Sequence, residues 1–195
     1  MNTKIAIDVD EVLVPLLKPM AKYKKIALPK KPKYNYLYRE VFNCTEERSQ
    51  EILHEFYFSD EFRNLEPIEG SQEAMKKLRV LFDKMYILTG RQEIVRGSTE
   101  LWIEQFYPGL FDDVILTNSF TENEVKKVDV CRALGIGCLI DDSIGTCNEC
   151  IENGVGAMNF VGEEMYPWCE ESPISIHGWE RVGCSSQGGW LGAWD

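Results

Sequence analysis

Five short apolar runs, the last four separated from one another by helix-patterned sequence, constrain this chain more than any other feature. They are "KIAID" at 4–8, "MYILTG" at 85–90, "DVILTN" at 113–118, "GCLIDD" at 137–142 and "VGAMNF" at 155–160. Between the last four lie "VRGSTELWIEQFY", ended by Pro108-Gly109, then "ENEVKKVDVCRALG", stopped by Gly135, then "GTCNECIENG". Strands without polar alternation are buried on both faces, and strand–helix alternation produces right-handed crossovers and a parallel sheet. The expected fold is α/β: a Rossmann-like parallel sheet with helices on both faces. Such sheets bind ligands at the carboxyl ends of their strands.

The polar residues follow that rule. Asp8 and Asp10, Thr89-Gly90-Arg91, and Asp141-Asp142 each terminate an apolar run. Residues two apart on a strand share a face, so Asp8 and Asp10 are like charges side by side. From that stretch alone two readings are open. Either the strand ends in a polar loop, or the carboxylates hold a cation or act as nucleophile and acid. Three strand ends carrying such groups at one edge favour the second.

The 80 residues between Asp8 and Thr89 hold an additional segment. Prolines at 15, 19, 29 and 32 argue against a long regular element there. From Thr45 the pattern is helical, with Thr45 as N-cap and Ile52, Leu53 and Phe56 as a stripe; a second helix is expected from about Ser71, with Ala74, Met75, Leu78 and Leu81 on one face. Residues 15–39 carry eight of the 21 basic residues and no acidic one, so the remainder sets 13 basic against 32 acidic. A basic segment on an acidic body attracts anions locally or is a solvated lysine face. The net charge of −11 disfavours nonspecific binding to nucleic acid or anionic membrane.

Five Trp, nine Phe and eight Tyr supply a real core. No run of about 18 apolar residues offers a membrane span, and seven scattered cysteines read as buried thiols in a reducing compartment. Cytoplasmic location is expected. Cys147 and Cys150 lack a second ligand pair, so packing outweighs zinc or redox chemistry for them.

The motifs DVDEV, LTGR, a lysine ahead of "VDVCRALGI", and LIDDS occur in that order. Together they resemble the four motifs of the haloacid dehalogenase superfamily over residues 4 to about 160. "FRNLEPIEGSQEAMKKL" and "KKVDVCRALGIGCLIDDS" look most like its 5′(3′)-deoxyribonucleotidase-like branch, and "YPWC" with "HGWERV" extends the match to about 182. The resemblance implies a core at 1–14 and 67–182 and a small, mostly helical cap at 15–66 inserted after the first strand; the Gly/Ser-rich composition of 183–195 points to a flexible tail. It implies a Mg²⁺-dependent phosphomonoester hydrolase working through an aspartyl-phosphate, with a small phosphorylated substrate, most simply a nucleotide, and nucleic acid only as a substrate end. Asp8 would be the nucleophile and Asp10 the acid–base. Thr89, Gly90 and Arg91 would hold substrate, and Lys127 would offset charge. Asp8, Asp10 through its carbonyl and Asp141 would bind metal. Asp142 is expected to orient these ligands rather than bind the ion. Glu11 departs from the pattern, which has Gly or Asp there. A noncatalytic phosphate-binding protein on the same fold is the alternative from another class, and Asp10, which a binder does not need, argues against it.

Overall fold

In the computed structural model, residues 3–29, 35, 37–162 and 166–182 are described. Lys30, Lys31, Lys33, Tyr34 and Tyr36 of the basic segment, and the tail from Gly183, lie outside the described residues.

The apolar runs form strands β1 (Lys4–Ile7), β2 (Lys84–Thr89), β3 (Asp113–Leu116), β4 (Cys138–Asp141) and β5 (Gly156–Phe160), joined by a short β6 (Ser175–Ile176) that the sequence reading did not anticipate. They make one sheet in the order β3-β2-β1-β4-β5-β6, with every pairing parallel. β6 is two residues long, too short for any periodicity to register.

Strand residues alternate between two apolar layers. Ile5, Ile7, Met85, Ile87 and Ile140 pack with α5 (Ser71–Leu81) and α6 (Arg96–Phe106) through Met75, Leu78, Trp102 and Ile103. Ala6, Leu88 and Leu139 point the other way, onto α7 (Lys127–Leu134) and α8 (Ile144–Glu152) through Val128, Cys131, Cys147 and Cys150. This period-two division gives three layers, helix on sheet on helix. Leu81, placed on the buried stripe by its spacing, is 56% exposed at the end of α5.

Four further helices fall between β1 and α5: α1 (Leu17–Lys24), α2 (Tyr38–Val41), α3 (Glu46–Tyr57) and α4 (Asp60–Arg63). Pro19 does not prevent α1, because it sits in the first turn, where its missing N–H would have no helical partner. Thr45 caps α3 as expected, its hydroxyl accepting from Arg48 N at 3.2 Å. Ser71 is the first residue of α5 rather than its cap; Gly70 holds the N-cap place at φ +76°. A Cβ at Gly70 would come within 3.3 Å of Trp179, whose indole donates to Val12 O at 2.8 Å and stacks on Phe160. Residues 166–182 are thereby fastened across the loop that follows β1.

Candidate active site

Sheet register brings the acids together. Ile7 pairs with Ile140, and Asp8 N continues the ladder by donating to Ile140 O at 2.9 Å. Asp8 and Asp141 thus leave adjacent parallel strands at the same edge. The order reverses at β1, with β2 on one side and β4 on the other, which is where ligands enter such sheets. A cavity of about 400 Å³ opens there, walled by Asp8, Asp10, Gly90, Arg91, Lys127 and Asp141 from the strand ends and by Tyr38, Leu53 and Tyr57 from the helices above.

Lys127 lies between two acids, its Nζ 2.9 Å from Asp8 Oδ1 and 2.6 Å from Asp141 Oδ2. The expected helix at 122–135 begins only at Lys127, because Lys126 is extended (φ −69°, ψ +136°) in the N-cap position. The two lysines are therefore not side by side on a helix. Lys126 pairs with Glu149 at 2.5 Å on the cavity wall, and Lys127 alone of the two reaches Asp8 and Asp141. Burial would favour the neutral amine, but Asp141 and Asp8 outweigh it and hold Lys127 above its ordinary range. Burial pushes the Asp8 carboxyl up to about 7; Lys127 works against this, while Asp141 and Asp10 add to it.

Asp10 and Arg91 form the second pair. Arg91 Nη2 donates to Asp10 Oδ1 at 2.7 Å, and Nε approaches Oδ1 and Oδ2 at 3.2 and 3.1 Å. Nη1 donates to Thr99 Oγ1 at 3.1 Å, and the guanidinium lies 4.9 Å over the Phe62 ring. At 2% exposure the Arg91–Asp10 ion pair is internal.

Thr89 is buried beneath the cavity wall rather than on it, and its hydroxyl accepts from Arg91 N at 3.3 Å. Gly90 and Arg91 do line the cavity. Gly90 has Ser119 Oγ 3.0 Å from where a Cβ would stand, so a side chain there would crowd the wall.

Asp142 is also fully buried. Its Oδ2 accepts from Trp168 Nε1 at 2.8 Å, and its Oδ1 has no hydrogen-bond partner among the described residues. Oxygens of Asp8, Asp141 and Asp142 lie within 4.8 Å of one another. Three converging carboxylates with an orphaned buried oxygen fit a hard divalent cation, which takes oxygen ligands. Burial, then Asp141, Asp8 and Glu11, raise the Asp142 carboxyl well above its ordinary value.

Glu11, the departure from the motif, has a structural task. It adopts φ +62°, where Gly is least strained. Its Oε1 accepts from Leu16 N at 3.0 Å and from Leu17 N, so it caps α1, which has no other side-chain cap. Oε2 has no aligned donor, although the Tyr166 hydroxyl lies beside the carboxylate. Burial pushes the Glu11 carboxyl up to about 7, against the pull of the Leu17 and Leu16 N–H groups.

Sequence reasoning gave no role to Trp168, Thr99 or Glu11: Trp168 meets Asp142 from 26 residues away, and Thr99 and Glu11 act where a loop folds back on the helix that follows it. Cys147 and Cys150 are buried thiols; Cys147 Sγ donates to Met158 O at 3.5 Å and packs under Asp141.

No protein-family model matches the sequence, and no curated protein matches it. Solved structures do. A haloacid dehalogenase-like family hydrolase from Streptococcus pneumoniae superposes with a TM-score of 0.59 at 13% identity, covering 81% of this chain and 84% of that one. A haloacid dehalogenase superfamily hydrolase of subfamily IA from Geobacter sulfurreducens gives 0.54 at 16%, covering 92% and 94%. A hydrolase of the same family from Deinococcus radiodurans, solved with bound phosphate and sodium, gives 0.56 at 16%, covering 95% and 89%. The chain has the haloacid dehalogenase-like fold, an all-parallel α/β sheet with helices on both faces.

Proposed function

We propose that this protein is a Mg²⁺-dependent phosphomonoester hydrolase acting through an aspartyl-phosphate, with a nucleoside monophosphate as substrate. The observation that carries the reading is the convergence of Asp8, Asp10, Lys127 and Asp141 at one cavity on the switch-point edge, with Asp142 buried beside Asp8 and Asp141. Phosphoryl transfer needs an in-line nucleophile, charge neutralisation and a proton for the leaving group. Asp8 attacks phosphorus, and the bond to the ester oxygen breaks as its Oδ–P bond forms. Asp10 protonates the departing oxygen and later takes a proton from the water that hydrolyses the intermediate. Lys127 offsets charge on the phosphoryl oxygens, and Gly90 and Arg91 border them.

Asp8, Asp141 and the carbonyl of Asp10 would hold the metal. We include Asp142 as a ligand rather than an orienting acceptor, because its Oδ1 is buried without a donor while Trp168 fixes its Oδ2. Bound Mg²⁺ would supply charge stabilisation for the transferring phosphoryl group. A hydrolase of this fold from Deinococcus radiodurans was solved with phosphate and sodium bound, in keeping with a reading that needs an anion and a cation.

Residues 15–66 act in this reading as a cap over the strand ends, with α1 to α4 as its substance. Among the described residues no helix is long and apolar enough to cross a membrane, and a cytoplasmic enzyme is consistent with the free cysteines. The nucleotide assignment is supported by the aromatic wall of Tyr38, Tyr57 and Phe120 facing the acids. A base stacked there contributes on the order of 1–3 kcal/mol. The expected preference is therefore roughly tenfold or more in kcat/KM for a nucleoside monophosphate over a sugar phosphate of equal charge. Equal efficiencies would remove the nucleotide and leave the hydrolase. Efficiency that rises with the length of a 3′-phosphorylated oligonucleotide and falls steeply with salt would instead indicate a nucleic-acid end.

A further inference from the structure

The cavity receives one polar group from outside the strand-end motifs that has no task in the fold. Tyr57 is the last residue of α3 and is 5% exposed. Its ring is fixed edge-on to Phe62 at 5.1 Å, and Phe62 carries the Arg91 guanidinium on its other contact. Phe62 and Tyr57 thus tie the inserted helices to the Arg91–Asp10 pair. The Tyr57 side chain lines the cavity with Asp10 and Arg91, yet no hydrogen bond to its hydroxyl exists among the described residues. The hydroxyl is open to the cavity rather than sealed in the core, so it is left for a molecule bound there. Burial holds it well above its ordinary pKa, and Asp10, Arg91 and Asp8 act on it in that order. It therefore keeps its proton at any working pH, as a fixed donor beside Asp10.

We propose that Tyr57 donates a hydrogen bond to the ester oxygen that leaves with the alcohol. This rests on the phosphatase reading above, in which Asp10 delivers its proton to that same oxygen. Tyr57 gains and loses no proton. As the P–O bond breaks, negative charge grows on the oxygen, the phenol O–H steadies it, and Asp10 supplies the proton that completes the alcohol. The inserted helices would then contribute to the chemistry as well as enclosing it. Tyr38, on the same wall, is already engaged in ring contacts with Phe42, Phe120 and Trp168.

The test is Tyr57→Phe, which keeps the ring on Phe62 and removes only the hydroxyl. Steady-state kinetics with Mg²⁺ are measured on wild type and variant, using p-nitrophenyl phosphate, phenyl phosphate, glycerol phosphate and a nucleoside 5′-monophosphate. Inorganic phosphate serves as inhibitor. A donor to the leaving oxygen matters most where that oxygen is most basic. The expected loss in kcat/KM is about tenfold to a hundredfold on the two alkyl esters and smallest on the p-nitrophenyl ester. Inhibition by phosphate, which has no leaving group, should move less than twofold. An equal loss on all four esters, or none, overturns the role of Tyr57 while the hydrolase stands. Wild-type inactivity on every ester overturns both. Tyr57→Leu gives the packing control: it should add a fall in melting temperature that Tyr57→Phe lacks, and if Tyr57→Phe alone melts as low, the hydroxyl is structural and the proposal fails.

Discussion

Arg91 grips Asp10 with two nitrogens on one carboxylate, the shortest contact 2.7 Å, in a site where the arginine is 2% exposed. The charge most needed for proton transfer is thus matched by a buried guanidinium that Thr99 and Phe62 hold in place. Breaking such a pair on one side leaves the other charge buried and uncompensated. Arg91→Ala should destabilise the protein by about 3–5 kcal/mol, read from urea unfolding, and Arg91→Lys should recover only part of it, since an ammonium cannot reproduce the fork. A loss below about 1 kcal/mol would mean that the pair is worth no more than a surface bridge.

Asp8→Asn should abolish turnover, by a thousandfold or more, because an amide does not attack phosphorus. It should leave the fold intact or slightly firmer, since it removes a carboxyl that burial already holds near 7. Asp10→Asn should slow turnover severely yet still let an acid-quenched phospho-enzyme accumulate with a good leaving group. Near wild-type rates for Asp8→Asn would end the nucleophile assignment.

Chelation should abolish activity and Mg²⁺ restore it. Asp142→Ala should weaken Mg²⁺ binding by at least tenfold in calorimetry, and Trp168→Phe, which frees Asp142 Oδ2, by a smaller factor. Ca²⁺ should substitute poorly because its coordination is larger and looser. Full activity in excess EDTA would exclude the metal.

Glu11 gives a pH signature. Between the ordinary carboxyl value of 4.5 and about 7, the unfolded chain is ionised at this position while the folded chain still holds the proton. Folding therefore takes up a proton, and stability falls as pH rises through that window. The contribution is fully present below it and lost above about 7, a span of roughly 3 kcal/mol at most. Glu11→Gln keeps an oxygen for Leu16 N and Leu17 N and cannot ionise. Its unfolding free energy should decline less than that of wild type between pH 5 and pH 8. Parallel declines would place the ionisation elsewhere.

The five long strands, their parallel pairing and the edge at which the acids gather were legible in the sequence, because apolar runs ending in Asp8, Thr89 and Asp141 are local patterns that backbone sterics turn into strands. Lys127 was named from the sequence too, and the late start of α7, set by the extended backbone at Lys126, decided that it reaches Asp8 and Asp141 while Lys126 meets Glu149. Local pattern could not reach contacts made across the fold. Trp168 on Asp142, and Tyr57 on the cavity wall it shares with Asp10, join segments far apart in the chain, while Thr99 on Arg91 and Glu11 under α1 depend on a loop folding back on the next helix. The sequence determines which groups stand at the strand ends, since φ/ψ preference and side-chain alternation act residue by residue. Only the tertiary structure decides which of those groups are buried, paired or left with an unsatisfied atom, because desolvation and charge pairing depend on what the rest of the chain brings within a few ångströms.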